Sequence, residues 1–116
     1  MSEHAGRAGE VYRDDGELIG QLRESEPGLW VPCAVFGSPL ATPRSRAAAE
    51  AFLLGNGLGY LAERWEAREG EDWVTVRIVE ARPGEVTVSY ADYGRPDLFN
   101  SRRTLTQPSP SELRMG

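Results

Sequence analysis

The chain has 116 residues and a formal net charge of −5, and its 13 basic residues are all Arg, so it contains no Lys. Chemistry that needs a side-chain amine is therefore excluded, including Schiff-base catalysis and the phosphate-binding lysines of P-loop proteins and kinases. Hydrophobic residues make up 40% and charged residues 27% of the sequence, ordinary values for a globular protein and unlike those of a disordered chain.

Residues 1–10 are polar and lack the apolar stretch of a secretory leader, which predicts a disordered tail on a cytoplasmic protein. The only His, His4, lies in that tail, so a catalytic triad would have to take its base from a loose terminus. Val11-Tyr12 and Leu18-Ile19 flank Asp15-Gly16, a two-residue hairpin signal that predicts two antiparallel strands over 11–24. After Pro27-Gly28, the apolar run from Leu29 to Phe36 predicts a strand over 28–37. Pro32 lacks an amide hydrogen and places this strand at an edge or a bulge. Trp30 is its expected core anchor, with an indole nitrogen that needs an acceptor once buried.

Thr42-Pro43 reads as a helix N-cap with Pro in the first turn, and Ala47, Ala48, Ala51, Phe52 and Leu54 recur at helical spacing. A helix over 43–54 is predicted, ended by Gly55-Asn56-Gly57. Leu58, Leu61, Ala62 and Trp65 predict a second short helix over 57–65, with a change to strand near Trp65 as the alternative. Glu69-Gly70-Glu71-Asp72 is a turn. Beyond it, Trp73–Ala81 and Glu85–Tyr90 flank Arg82-Pro83-Gly84 in the clearest hairpin of the chain. Its alternation puts Val74, Val76 and Ile78 on one face with Val86, Val88 and Tyr90, and Thr75, Arg77, Thr87 and Ser89 on the wetter face. A last strand is expected around Leu98–Leu105, followed by an extended tail over 106–116 on which Leu113 is the residue suited to dock. The predicted architecture is a single α+β domain over 11–105. It is mostly antiparallel sheet from hairpins 11–24, 28–37 and 73–92, with one or two short helices packed on one face.

Several motifs have plain structural readings. The glycines of Gly55-Asn56-Gly57-Leu58-Gly59 follow a helix, whereas a nucleotide-binding loop must follow a strand and open a helix. Asp14, Asp15 and Glu17, and separately Glu69, Glu71 and Asp72, lack calcium-loop spacing and suit solvated turns. Cys33 is the only Cys, so no intrachain disulfide can form, and its apolar neighbours predict a buried small hydrophobe. With His4 and Cys33 alone, no structural zinc site can be assembled, and neither a metal nor a cofactor is expected. Two groups could bind an anion: Arg44, Ser45 and Arg46, beside the free amides of the helix start, and Arg102 with Arg103.

Two likenesses bear on partners. Gly28–Leu58 has the outline of small modules that set one helix on a three-stranded sheet, some of which lay the sheet on DNA. The net negative charge weighs against that use, because phosphate neutralisation supplies most of such affinity. Trp73–Val79, Val86–Gly94 and Glu112–Arg114, in about the last third of the chain, resemble the strands of Tudor-type and related SH3-like barrels. That resemblance implies an aromatic cage for a methylated side chain at Tyr90, Asp92 and Tyr93, walled by Trp73 or Phe99 and acting by cation–π attraction. Arg95 follows Gly94 where the family usually has Asn, and it sets a positive charge beside a site for a cation.

By elimination, the expected function is non-catalytic binding of another protein, with the acidic balance favouring a basic partner. One alternative is a nucleic-acid-associated regulatory module that places Arg44, Arg46, Arg102 and Arg103 on phosphate. The other is a small enzyme that works with carboxylates and Arg alone. An open sheet edge offers a route to a homodimer. No apolar run approaches the roughly 18 residues of a membrane span, so no membrane partner is expected.

Overall fold

The computed structural model describes residues 9–116, so His4 and nearly all of the tail expected over 1–10 lie outside the described residues. In chain order the elements are β1 (Glu10–Tyr12), β2 (Leu18–Glu26), β3 (Leu29–Cys33), α1 (Arg46–Asn56), β4 (Trp65–Glu69), β5 (Asp72–Arg82), β6 (Glu85–Tyr90), β7 (Arg102–Thr106) and β8 (Leu113–Met115). All strand pairs are antiparallel, in two sheets of order β1-β2-β3 and β7-β6-β5-β4-β8. The fold is α+β and mostly antiparallel sheet, with its strands divided between two sheets. No helix among the described residues is long and apolar enough to cross a membrane.

The β1–β2 hairpin turns at Gly16 (φ 87°), where Asp15 Oδ1 accepts the Glu17 amide at 3.0 Å. β3 lies at the edge of its sheet, as Pro32 requires, but it ends at Cys33 and not near 37. The chain turns there because the Gly37 amide donates to Ala34 O at 2.9 Å and the Ala34 amide to Ser38 O at 2.8 Å. Val35 and Phe36 are buried from within this turn, and Cys33 is buried beside it. Burial pushes the Cys33 thiol pKa up, against a smaller lowering from Arg23.

Helix α1 packs across the three-stranded sheet through Ala49 and Leu53. Its N-cap is Ser45, not Thr42: Ser45 Oγ accepts the Ala48 amide at 3.1 Å. Arg44 is held extended by a two-way backbone bridge to Trp30, so the helix cannot begin earlier. Gly57 (φ 57°) ends it, with its amide on Leu53 O at 2.8 Å.

The second predicted helix shrinks to a 3-10 turn at Gly59–Ala62, and Trp65 starts β4. In β4, Trp65 and Ala67 point to the core while Glu66 and Arg68 point away, a period of two that overrides the helical spacing before it. Trp65 is fully buried and is the core anchor, whereas Trp30 is only partly buried. Residues 106–116 are more than a tail. β8 pairs with β4 through Trp65↔Met115 and Ala67↔Leu113, and Leu113 is fully buried. The strand expected around Leu98–Leu105 begins only at Arg102, because residues 96–100 form turns that end at Asn100 (φ 69°).

Tyr60 ties the layers together from the 3-10 turn. Its hydroxyl donates to Ile19 O in β2 at 3.0 Å and accepts the Val35 amide at 3.1 Å, while its carbonyl accepts Trp65 Nε1 at 2.8 Å. Burial pushes its pKa up to about 12, with the Val35 hydrogen bond as a smaller opposing effect. An unfolded tyrosine ionises near pH ~10, so the stability held by the neutral phenol is intact below pH ~10 and lost as pH rises toward 12. We expect unfolding free energy to fall by about 1.4 kcal/mol per pH unit in that window. Tyr60→Phe should be about 2 kcal/mol less stable at neutral pH, having lost the partner of two buried backbone groups, and should show a shallower alkaline slope. Denaturant titrations at pH 8 and 11 measure both quantities.

Candidate functional site

The larger sheet has two unlike faces. Trp65, Ala67, Val74, Val76, Val86, Val88, Leu105 and Leu113 are buried on the inner one. Strand alternation sends their neighbours to the outer face: Glu66 and Arg68 in β4, Trp73, Thr75 and Arg77 in β5, Thr87 and Ser89 in β6, Arg102 and Thr104 in β7, and Arg114 in β8. The expected wetter side of the β5–β6 hairpin is this face. Arg64, just before β4, reaches it as well, donating to Thr75 Oγ1 at 3.1 Å. On a chain with net charge −5, the outer face therefore gathers arginines.

Most of these arginines are engaged. Arg114 Nε donates to Glu66 Oε1 at 2.8 Å, and its guanidinium carbon lies 3.9 Å from the centre of the Trp73 ring. Arg68 also lies over Trp73, at 5.5 Å, and its Nε donates to Gly70 O at 2.8 Å. Arg82 pairs with Glu80 and Glu85 at 3.4 and 3.5 Å at the far end of β5. Thr87 and Thr104, directly opposite each other, share a hydrogen bond of 2.8 Å. Between these groups runs one row of different character, because Ser89 is the register partner of both Arg77 and Arg102. Among the described residues, Arg77 and Arg102 are the two arginines whose side chains make no hydrogen bond, ion pair or ring contact.

The sequence-expected anion residues separate. Ser45 is committed to capping α1. Arg44 lies 5.2 Å over the Phe52 ring with Nε on Thr42 O at 3.0 Å, and Arg46 lies 4.5 Å over the Trp30 ring. These guanidinium groups serve aromatic packing on the smaller sheet. Arg102 and Arg103 are adjacent in one strand and so emerge on opposite faces. Arg102 joins the outer row. Arg103 turns inward, where its NH1 donates to Glu69 Oε2 at 2.8 Å and to Arg68 O at 3.2 Å.

The aromatic set implied by the Tudor resemblance separates too. The Tyr90 hydroxyl donates to the Glu69 carboxylate on the inner side, and burial together with that carboxylate pushes its pKa up. Trp73 emerges on the opposite face, beneath Arg114. Asp92 Oδ1 accepts the Gly94 amide at 2.8 Å as a turn residue. Tyr93 is exposed and stacks on Phe99 with ring centres 4.8 Å apart, which leaves no room for a cation between them. Arg95 pairs with Asp97 at 3.3 Å and with Asp72 at 3.5 Å.

A cavity of about 480 Å³ is lined by Gln21, Arg23, Phe36, Gly37, Pro83, Gly84, Gln107 and Pro108. Its polar groups are partly spent: Gln21 Nε2 donates to Val35 O at 2.7 Å and Arg23 NH1 to Gly37 O at 3.2 Å. The lining contains no carboxylate to work with Arg23. Among the described residues no cluster of His, Cys, Asp or Glu could hold a metal ion. The row Arg77, Ser89, Arg102 was beyond sequence reasoning, because only the register between three strands brings these positions together. Comparison with protein-family models, curated proteins and solved structures found no match.

Proposed function

We propose that this is a non-catalytic binding protein that docks the outer face of its five-stranded sheet onto an acidic segment of another protein. The observation that carries this reading is the presence of two arginines with unpaired side chains, Arg77 on the central strand and Arg102 on the edge strand β7, on an arginine-rich face. A guanidinium is a planar fork of donors suited to carboxylate, so a docking partner with carboxylates would satisfy both side chains. Whole-chain charge favours a basic partner, but screening over about 8 Å at physiological salt leaves local charge to govern close contact, and this patch selects acids. A nucleic acid is disfavoured because Trp73, the aromatic residue of this face, already carries guanidinium groups where a base would stack. The net charge of −5 repels a polyanion at long range as well.

The test is affinity capture from lysate of the source cells, with and without nuclease, using the wild-type protein and an Arg77→Glu/Arg102→Glu variant. We expect a protein that survives nuclease and is lost, by at least tenfold in recovery, with the variant. Equal recovery with both proteins overturns the docking face, and material that disappears with nuclease points to nucleic acid.

A further inference from the structure

Resting on that reading, we infer that Arg77, Ser89 and Arg102 form a clamp for a phosphoryl group carried on a side chain of the partner protein. The hydroxyls of this face divide in two. Thr87 and Thr104 satisfy each other, and Thr75 accepts from Arg64. Ser89 is only 8% exposed, yet its hydroxyl makes no hydrogen bond among the described residues. The hydroxyl oxygen itself stays accessible on this face, between two unpaired guanidinium groups, and is free to donate to a ligand held by both.

Geometry sets the size of that ligand. Ser89 lies directly opposite Arg77 on one side and Arg102 on the other, so strand spacing puts the two arginine Cα atoms about 10 Å apart. Both side chains are long enough to converge above Ser89. The clamp then presents two donor forks and one hydroxyl, three donor groups around a single point. A carboxylate has two oxygens in one plane and a single negative charge, so it balances one guanidinium and leaves the charge of the second unmatched. A phosphomonoester has three free oxygens and about two negative charges at neutral pH, and it matches all three groups while neutralising two otherwise unbalanced cations. The phosphodiester of a nucleic acid has two free oxygens and one charge, a poorer match. A side-chain phosphate on a protein is therefore the favoured source.

Amide chemical-shift titration of the full chain tests the clamp with four probes: O-phosphoserine, inorganic phosphate, dimethyl phosphate and acetate. At pH 7.5 we expect O-phosphoserine and inorganic phosphate to shift the amides around residues 77, 89 and 102 and to saturate in the millimolar range. Dimethyl phosphate and acetate should bind at least tenfold more weakly. Ser89→Ala should weaken O-phosphoserine severalfold and Arg77→Gln should remove saturation, with unchanged spectra elsewhere showing that both variants fold. Affinity should also fall below pH ~6 as the phosphate takes up a proton.

Equal binding of acetate and phosphate would overturn the phosphoryl assignment and leave the docking face standing. Equal or tighter binding of dimethyl phosphate would overturn it in favour of nucleic acid. Absence of binding by all four probes, with capture still lost in the Arg77→Glu/Arg102→Glu variant, would overturn the clamp alone. Absence of both would remove the docking face with it.

Discussion

Trp65→Ala should lower the unfolding free energy by about 3–5 kcal/mol, the range for removing a fully buried large aromatic side chain. Trp65 opens β4 on the core side, and its ring meets Phe36 edge-on at 5.5 Å. Phe36 belongs to the turn after β3, so this contact joins the end of one sheet to the start of the other. The hydrogen bond from Trp65 Nε1 to Tyr60 O matters less, because that carbonyl also accepts the Glu63 amide at 3.2 Å. The cost therefore comes from lost apolar contact and the cavity left behind. Small domains hold roughly 5–15 kcal/mol in total, so the variant should sit near the edge of folding. Urea titration followed by circular dichroism measures the change, and a loss below about 1 kcal/mol would show that the anchor lies elsewhere.

The second large effect needs only one methyl group. Gly20 lies in β2 with negative φ, so its requirement is space and not backbone freedom. A Cβ built there would fall 2.6 Å from Cys33 O in β3 and 2.9 and 3.1 Å from the two terminal carbons of Leu53 in α1. The side chain could yield, but the carbonyl belongs to the sheet and cannot move without opening the β2–β3 pairing. Gly20→Ala should therefore cost about 3 kcal/mol, at the upper end for overpacking. Trimming Leu53 to Ala in the same chain separates the two contacts. It relieves the helix side and leaves the carbonyl clash, so the double variant should remain less stable than Leu53→Ala alone. Equal stability of those two proteins would show that the helix, not the strand, sets the limit.

The β5–β6 hairpin was legible because Val74, Val76, Val86 and Val88 alternate without interruption and the turn between them contains Pro83-Gly84. The start of β4 was ambiguous because Trp65 satisfies two periods at once: it completes a helical set with Leu58 and Leu61 and an alternating set with Ala67. Burial against β5 selects the second. A strand as short as β8 offers too few residues for any periodicity, and only the docking of Leu113 could be anticipated. Candidate binding residues suffered from the same limit. Arg102-Arg103 read as a pair in sequence, but alternation splits it, and the true neighbours of Arg102 on its face come from two other strands. Local pattern assigned faces well, while register between distant segments decided which side chains meet.

The pairing of β8 with β4 also orders events during synthesis. The open side of β4 stays unpaired until Leu113–Met115 have been added, roughly forty-five residues after β4 itself is complete. At translation rates of about 5–20 residues per second, that leaves a few seconds in which β4 has a bare edge bearing Trp65 and Ala67. Nascent chains on crowded polysomes could pair through that edge, so slowing translation over the last segment should raise the yield of aggregate even though the finished protein is unchanged.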